Sequence, residues 1–270
     1  TGTATNGRSG HVYVTPGSGD SGTGGELVLK GGITGDTLSG GRVQVVSGTS
    51  STGARSSGAL LLSTGDGGGS GVSGFVVLST GTSGSGNTGA LYIGTGIAVG
   101  GRGGAVYVGA GSGDTGTGGE IVIKAGTTSA TESGGQVTVA SGTGLDTSSG
   151  ALLIRTGDAG TSGVSGELVL STGTTTSGNS GGLYIGTGTA SKGRSGHVYV
   201  TPGSGNSGTG GELVLKGGIT SATLSGGRVQ VVSGTSSGAR SSGALLLSTG
   251  DGGATGVSGF VVLSTGTSGS

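Results

Sequence analysis

The sequence predicts an all-β fold, a flattened parallel β-solenoid of about 17 coils of 15–17 residues each, with no helix. The first observation is a repeated core, Gly-x-Φ-x-Φ, in which Φ is Val, Leu or Ile, as in Gly10–Val14 and Gly25–Leu29. Self-similarity at a short fixed period, with alternating apolar residues, is typical of a β-solenoid. The second is that Gly supplies 75 of 270 residues and good helix formers never run together.

Each coil is expected to contain one apolar strand. The Gly-x-Φ-x-Φ-x stretch supplies it, and the other nine or ten residues of a copy supply a turn, a second extended limb and a turn back. Successive coils would stack about 4.8 Å apart. Residues i and i+2 of a strand share a face, so both Φ positions would point inward. The predicted core ladders comprise Val12, Val14, Leu27, Leu29, Val43, Val45, Leu60 and Leu62.

The residue between the two Φ positions would point outward, yet it is mostly apolar. All five Tyr occupy this position, and both Phe lie on the same face. A long exposed apolar patch usually marks an interaction surface, so we expect lateral association there. The predicted lateral interface comprises Tyr13, Val28, Leu61, Phe75, Val77, Tyr92, Tyr107, Val122, Leu153, Val169, Tyr184, Tyr199, Val214, Leu246, Phe260 and Val262.

Charges on the same outward face suggest a role in setting register. Glu26 lies one coil from His11 and from Arg42, and it shares a strand and a face with Lys30. Neighbouring opposite charges contribute only about 0.2–1 kcal/mol each. Setting register and plain solubility are both open interpretations.

The short copies are nested in a longer repeat. Ser9–Thr34 recurs as Ser195–Thr220 with one change, which gives a long period of about 186 residues and a weaker half-period of six copies. We therefore expect one continuous array over residues 1–270, with one long unit over 1–186 and a second beginning at 187. No terminal copy has the polar character of a cap, which suggests a segment of a longer array.

Composition argues against several classes of partner. The formal net charge is zero, which gives no electrostatic attraction for nucleic acid, and no apolar run approaches the roughly 18 residues of a membrane span. Cys is absent, so no disulfide or thiolate–metal framework is expected. The expected partner is the chain itself, in an extracellular or cell-surface location. Whether the many Ser and Thr residues carry O-linked sugars is left open.

No catalytic, cofactor-binding or metal-binding residues are predicted, and the chain is not expected to be an enzyme. Gly17-x-Gly19-x-x-Gly22 and two equivalent stretches match a dinucleotide fingerprint, but this Gly content produces such matches by chance and no helix is expected to follow. A column of Thr after the strand (Thr64, Thr80, Thr95) raises ice binding as an alternative, although Ala and Ser interrupt it in the half-repeats.

The Ser-Gly-x-Val-x-Val spacing in a Gly/Ser/Thr-rich unit resembles very long β-solenoid repeat proteins of algae and other microbes, and more broadly silk-like and antifreeze solenoids. The resemblance covers the whole chain and implies a structural, filament-forming extracellular or surface protein. It carries no site residues to transfer. An ice-binding solenoid and an adhesin stalk are the alternative functions.

Overall fold

The computed structural model describes residues 2–4, 7–35, 37–50, 56–129, 131–221 and 223–267. Neither an α-helix nor a β-strand lies within these ranges. The chain falls into two units, Thr1–Val137 and Thr138–Ser270, and each contact discussed below lies inside one of them.

The prediction of a flattened parallel β-solenoid is therefore wrong. A solenoid needs a ladder of backbone bonds along the whole length of each strand, and the described residues contain none. The dry interior is missing too, because no described apolar side chain is buried. All the residues assigned to the core ladders are more than half exposed, namely Val12, Val14, Leu27, Leu29, Val43, Val45, Leu60 and Leu62.

The reason for this difference lies in the Gly-rich residues between copies, which we call linkers. The solenoid required each linker to form an extended limb between two turns and to cover the aliphatic side chains. In the structure, a linker bends once near its middle, as at residues 20–22, 114–116 and 206–208. Its two ends then meet each other, so its small side chains do not cover the aliphatic residues.

We call the meeting point of the two linker ends a neck. Its first partner is the Gly that begins the next copy, the neck glycine. Its second is the small residue two positions after the second Φ, the neck partner. Gly25 with Pro16 and Gly119 with Ala110 are examples: a Cβ built on either neck glycine would lie 2.9 and 3.0 Å from the Cβ of its partner. The same approach occurs at all sixteen junctions between successive copies, eight in each unit.

Two kinds of neck follow from the neck partner. Where it is Pro, Gly, Ser or Ala, the neck glycine N–H donates to the carbonyl just after the partner in eight necks, at 2.8–3.0 Å (for example Gly41 to Gly32). Where it is Thr, the Thr side chain lies between the two limbs. In three such necks its hydroxyl donates instead to the carbonyl of the neck glycine, from Thr64 to Gly74, Thr95 to Gly104 and Thr187 to Gly196.

The two kinds of neck occur in alternating groups of three along the chain. Three necks with a small partner (Pro16, Gly31, Ser47) precede three with Thr, and this order recurs through the half-period of six copies. The half-period seen in the sequence thus corresponds to a change in how the necks are bonded.

A Cβ on Gly31 would overlap the Gly41 carbonyl oxygen, whereas a Cβ on the adjacent Gly32 has nothing within 4 Å. We expect Gly31→Ala to open this neck and break the 2.8 Å bond from Gly41 N–H to Gly32 O. Amide exchange at Gly41, followed by NMR, should speed up about fivefold to tenfold, the worth of one hydrogen bond.

Gly32→Ala is the matched control, since it adds the same methyl group to open space. Equal exchange at Gly41 in both variants would contradict the neck contact.

Candidate interaction surface

Each copy presents a short apolar segment, and in the fifteen internal copies this segment lies between two necks. We define the apolar segment as the five residues after the glycine that begins the copy, such as Glu26–Lys30 between Gly25 and Gly31. In the described copies no bend or turn interrupts it. Because necks restrain both ends of an internal segment, it is held extended between two closed linkers.

The apolar segments are exposed in both units. From the second copy onward the first Φ residue is the least exposed of the three central positions, at 49–59%. The residue between the two Φ positions is more exposed, and the Tyr side chains there reach 81–94%. Even the less exposed Φ side chains face water over about half their surface, and in Glu26–Lys30 the second Φ residue is more exposed than the central Val28.

The total solvent-accessible surface area measures how much of the chain is left exposed to solvent. It is 26649 Å² for a chain of 24.6 kDa. Two compact domains that share this mass would expose about 12,000 Å² together. The excess is surface of every kind, apolar and polar, that two compact domains would have buried.

All the residues predicted to form the lateral interface lie on this exposed surface, with exposed fractions from 57% at Val122 to 94% at Tyr184. The structure does not gather them into one site, because they are distributed over successive segments. Their role as an interface stays a prediction. Within two segments the rings of His11 and Tyr13, and of His197 and Tyr199, lie 6.0 and 5.8 Å apart between centroids.

The backbone N–H and C=O groups of these segments are available to a partner, as are their side chains. In Glu26–Lys30, Glu120–Lys124 and Glu212–Lys216, no backbone N–H or C=O forms a hydrogen bond with another residue that the structure describes. Unpaired backbone groups beside apolar side chains form a template on which another extended chain can pair.

The charged side chains lie on the same surface and are exposed. Among the described residues no ion pair joins Glu26 to His11 or to Arg42. The register role suggested for these charges within one chain is therefore not seen as a contact.

The Gly stretches that match a dinucleotide-binding fingerprint occur where the backbone turns. Their third glycines, Gly22, Gly116 and Gly208, have φ of +107°, +92° and +85°, a region that L side chains rarely adopt. They form the linker bends, and no helix follows them in the described part of the chain. These glycines are required by the turn.

Sequence analysis missed the necks. Their signal was present in the column two residues after the second Φ, which holds only Pro, Gly, Ser, Thr or Ala in all seventeen copies. That column was interpreted only as a broken row of Thr for ice binding. In the structure Thr64, Thr95 and Thr187 instead direct their hydroxyls to carbonyls of their own necks.

The described residues form no pocket, and they hold no group of three or more His, Asp or Glu placed to bind a metal ion. Within the same residues, the structure has no helix with the length and apolar character to cross a membrane.

Comparison with protein-family models, with curated proteins and with solved structures finds no match to this chain.

Gly116→Ala should destabilise the linker that the Gly119–Gly111 bond closes, because a left-handed backbone costs an L side chain about 1–2 kcal/mol. We expect amide exchange at Gly119 to rise about fivefold or more when measured by NMR.

Gly113→Ala in the same linker is the control, since its Cβ would make an ordinary 3.5 Å contact with the Thr115 carbonyl oxygen. If Gly113→Ala opened the neck as much as Gly116→Ala, the bend would not depend on the left-handed glycine.

Proposed function

We propose that this chain is a structural protein that associates with copies of itself through its apolar segments to form filaments or bundles. One observation carries the proposal: seventeen apolar segments recur along the chain, and the described apolar side chains are exposed rather than packed into a core. The proposal does not depend on a solenoid.

The exposed aliphatic side chains would be stabilised by burial against a partner. Full burial of one Val, Leu or Ile side chain stabilises by about 1.5–3 kcal/mol, and each segment offers at least two. Within one chain the linkers close on themselves, so the aliphatic side chains stay exposed and this stabilisation by burial is not gained. A second chain laid along the segments would recover part of it and would also pair the free backbone groups.

Repetition suits assembly over a long surface. Once one segment has paired, its neighbours face their partners at high effective concentration, so weak contacts add up along the chain. A contact that uses different segments on the two partners need not close into a ring, and it then produces an open filament.

Zero net charge and the absence of Cys fit an extracellular or surface location without requiring it. The same neutrality offers no attraction for nucleic acid, and the proposed role involves no catalysis. Among the described residues no structural observation favours the alternatives, ice binding or an adhesin stalk.

Replacement of Tyr13, Tyr107 and Tyr199 by Ser should weaken association, because these rings are 81–93% exposed and would lose their burial against a partner. Sedimentation velocity over a concentration series should show smaller assemblies than the parent chain forms. Amide exchange at Gly119 should stay unchanged if the necks are intact.

Tyr→Phe at the same three positions is the matched control, since it keeps the apolar ring, and it should associate like the parent. Equal association of the Ser and parent chains would remove these Tyr side chains from the interface. A parent chain that stays monomeric at high concentration, without filaments in electron micrographs, would overturn the proposed function itself.

A further inference from the structure

Three of the seventeen apolar segments differ from the rest in charge. They share the pattern Glu-Φ-Val-Φ-Lys, with opposite charges at their two ends and Val at the centre. They are Glu26–Lys30, Glu120–Lys124 and Glu212–Lys216. No other copy carries opposite charges at these two positions.

Neither charge of these segments has a partner in the part of the chain that the structure describes. Glu26 and Lys30 are exposed, and neither takes part in an ion pair or a hydrogen bond among the described residues. The equivalent Glu and Lys of the other two segments are in the same situation. The segments thus combine free charges, exposed aliphatic side chains and unbonded backbone.

Necks hold these segments at their ends. In the first, Gly25 N–H donates to the Gly17 carbonyl at 2.9 Å, and beyond its end Gly41 N–H donates to the Gly32 carbonyl at 2.8 Å. The neck partner that follows each segment (Gly31, Ala125 or Gly217) is among the few residues that are partly shielded from solvent. Each segment is therefore presented to a partner with its ends restrained.

The pattern is complementary to itself in one orientation only. When two copies of Glu26–Lys30 run antiparallel and centred on Val28, each Glu26 faces Lys30 of the other segment. Leu27 then faces Leu29, and Val28 faces Val28. When they run parallel and in register, Glu faces Glu and Lys faces Lys, which is destabilising for residues about 5 Å apart.

We propose that the three Glu-Φ-Val-Φ-Lys segments are sites at which a second copy of this chain pairs antiparallel, with Glu of one segment opposite Lys of the other. This inference rests on the proposed self-association and adds its orientation and its points of registration. Since residues i and i+2 share a face in an extended pair, the two ion pairs flank the Val–Val contact on one face. The Leu or Ile contacts lie on the other face.

Charge reversal tests the pairing. The variant with Glu26, Glu120 and Glu212 changed to Lys carries Lys at both ends of every such segment. Its midpoint concentration for association, from sedimentation velocity, should rise about tenfold or more, because attractions become repulsions in all three segments. The variant with Lys30, Lys124 and Lys216 changed to Glu should behave likewise, and an equimolar mixture of the two should recover association.

The chain also offers controls that reverse charges outside the pattern. Glu167 begins a segment that ends at Ser171, and Arg155 ends a segment that begins at Ala151. The double variant Glu167→Lys and Arg155→Glu should associate like the parent. A chain with all six charges exchanged, Glu for Lys and Lys for Glu, keeps the complementarity and should also associate like the parent.

Disulfide formation reports the orientation of two paired segments. The chain has no Cys of its own, so introduced Cys residues are the only thiols. One chain carries Cys in place of Leu27, Ile121 and Leu213, and the other carries Cys in place of Leu29, Ile123 and Leu215, so that every choice of paired segments is covered. Under mild oxidation the mixture should form disulfides between the two kinds of chain in preference to homotypic ones. Parallel pairing would instead link each kind of chain to itself.

The two proposals fail in different ways. If the parent chain associates but the reversed variants associate equally well, or the control double variant is weakened as much as they are, the paired segments are wrong and self-association stands. If the homotypic disulfides dominate, the antiparallel orientation is wrong. If the parent chain does not associate, both proposals fall together.

Discussion

The close approach of a glycine to a small residue at each neck is the constraint from which the other features follow. A Cβ on the neck glycine would crowd the partner across the neck, at distances of 2.9 Å for Gly25 and 3.1 Å for Gly104. At the tightest necks sterics thus favour glycine, whereas a Cβ on Gly89 or Gly181 would meet its partner at an ordinary 3.6 or 3.7 Å. The restricted column after the second Φ is the counterpart of the neck glycine. Because each linker closes on itself at its neck, it cannot serve as the second wall of a coil.

Exposure of the apolar segments is the direct consequence. A linker that covered its segment would give a core, but a neck-closed linker leaves the Leu, Val, Ile and Tyr side chains facing water. Hydrophobic burial is the main favourable term in folding, and this chain makes little use of it internally. The surface available for association is therefore repeated with every copy, and the three charged segments would decide how two chains align.

The repeat, its aliphatic positions, its six-copy half-period and the apolar residues between the two Φ positions were all readable from the sequence, because they depend only on residue identity and spacing. The same is true of the complementary Glu-Φ-Val-Φ-Lys pattern. These features were not sufficient to predict a solenoid. Alternation of apolar residues indicates an extended stretch but does not indicate which residues pack against it. The lateral interface and the extracellular role remain predictions.

Only the tertiary structure decided where the linkers go. Gly, Ser and Thr permit a two-turn limb and a single bend almost equally, so their sequence does not choose between them. The choice is made at the neck, by a hydrogen bond such as Gly119 to Gly111, or by a Thr hydroxyl such as Thr95 to Gly104, between residues eight to ten positions apart. By itself the sequence determined which residues are apolar and how often they recur; the path of the backbone determined that they stay exposed.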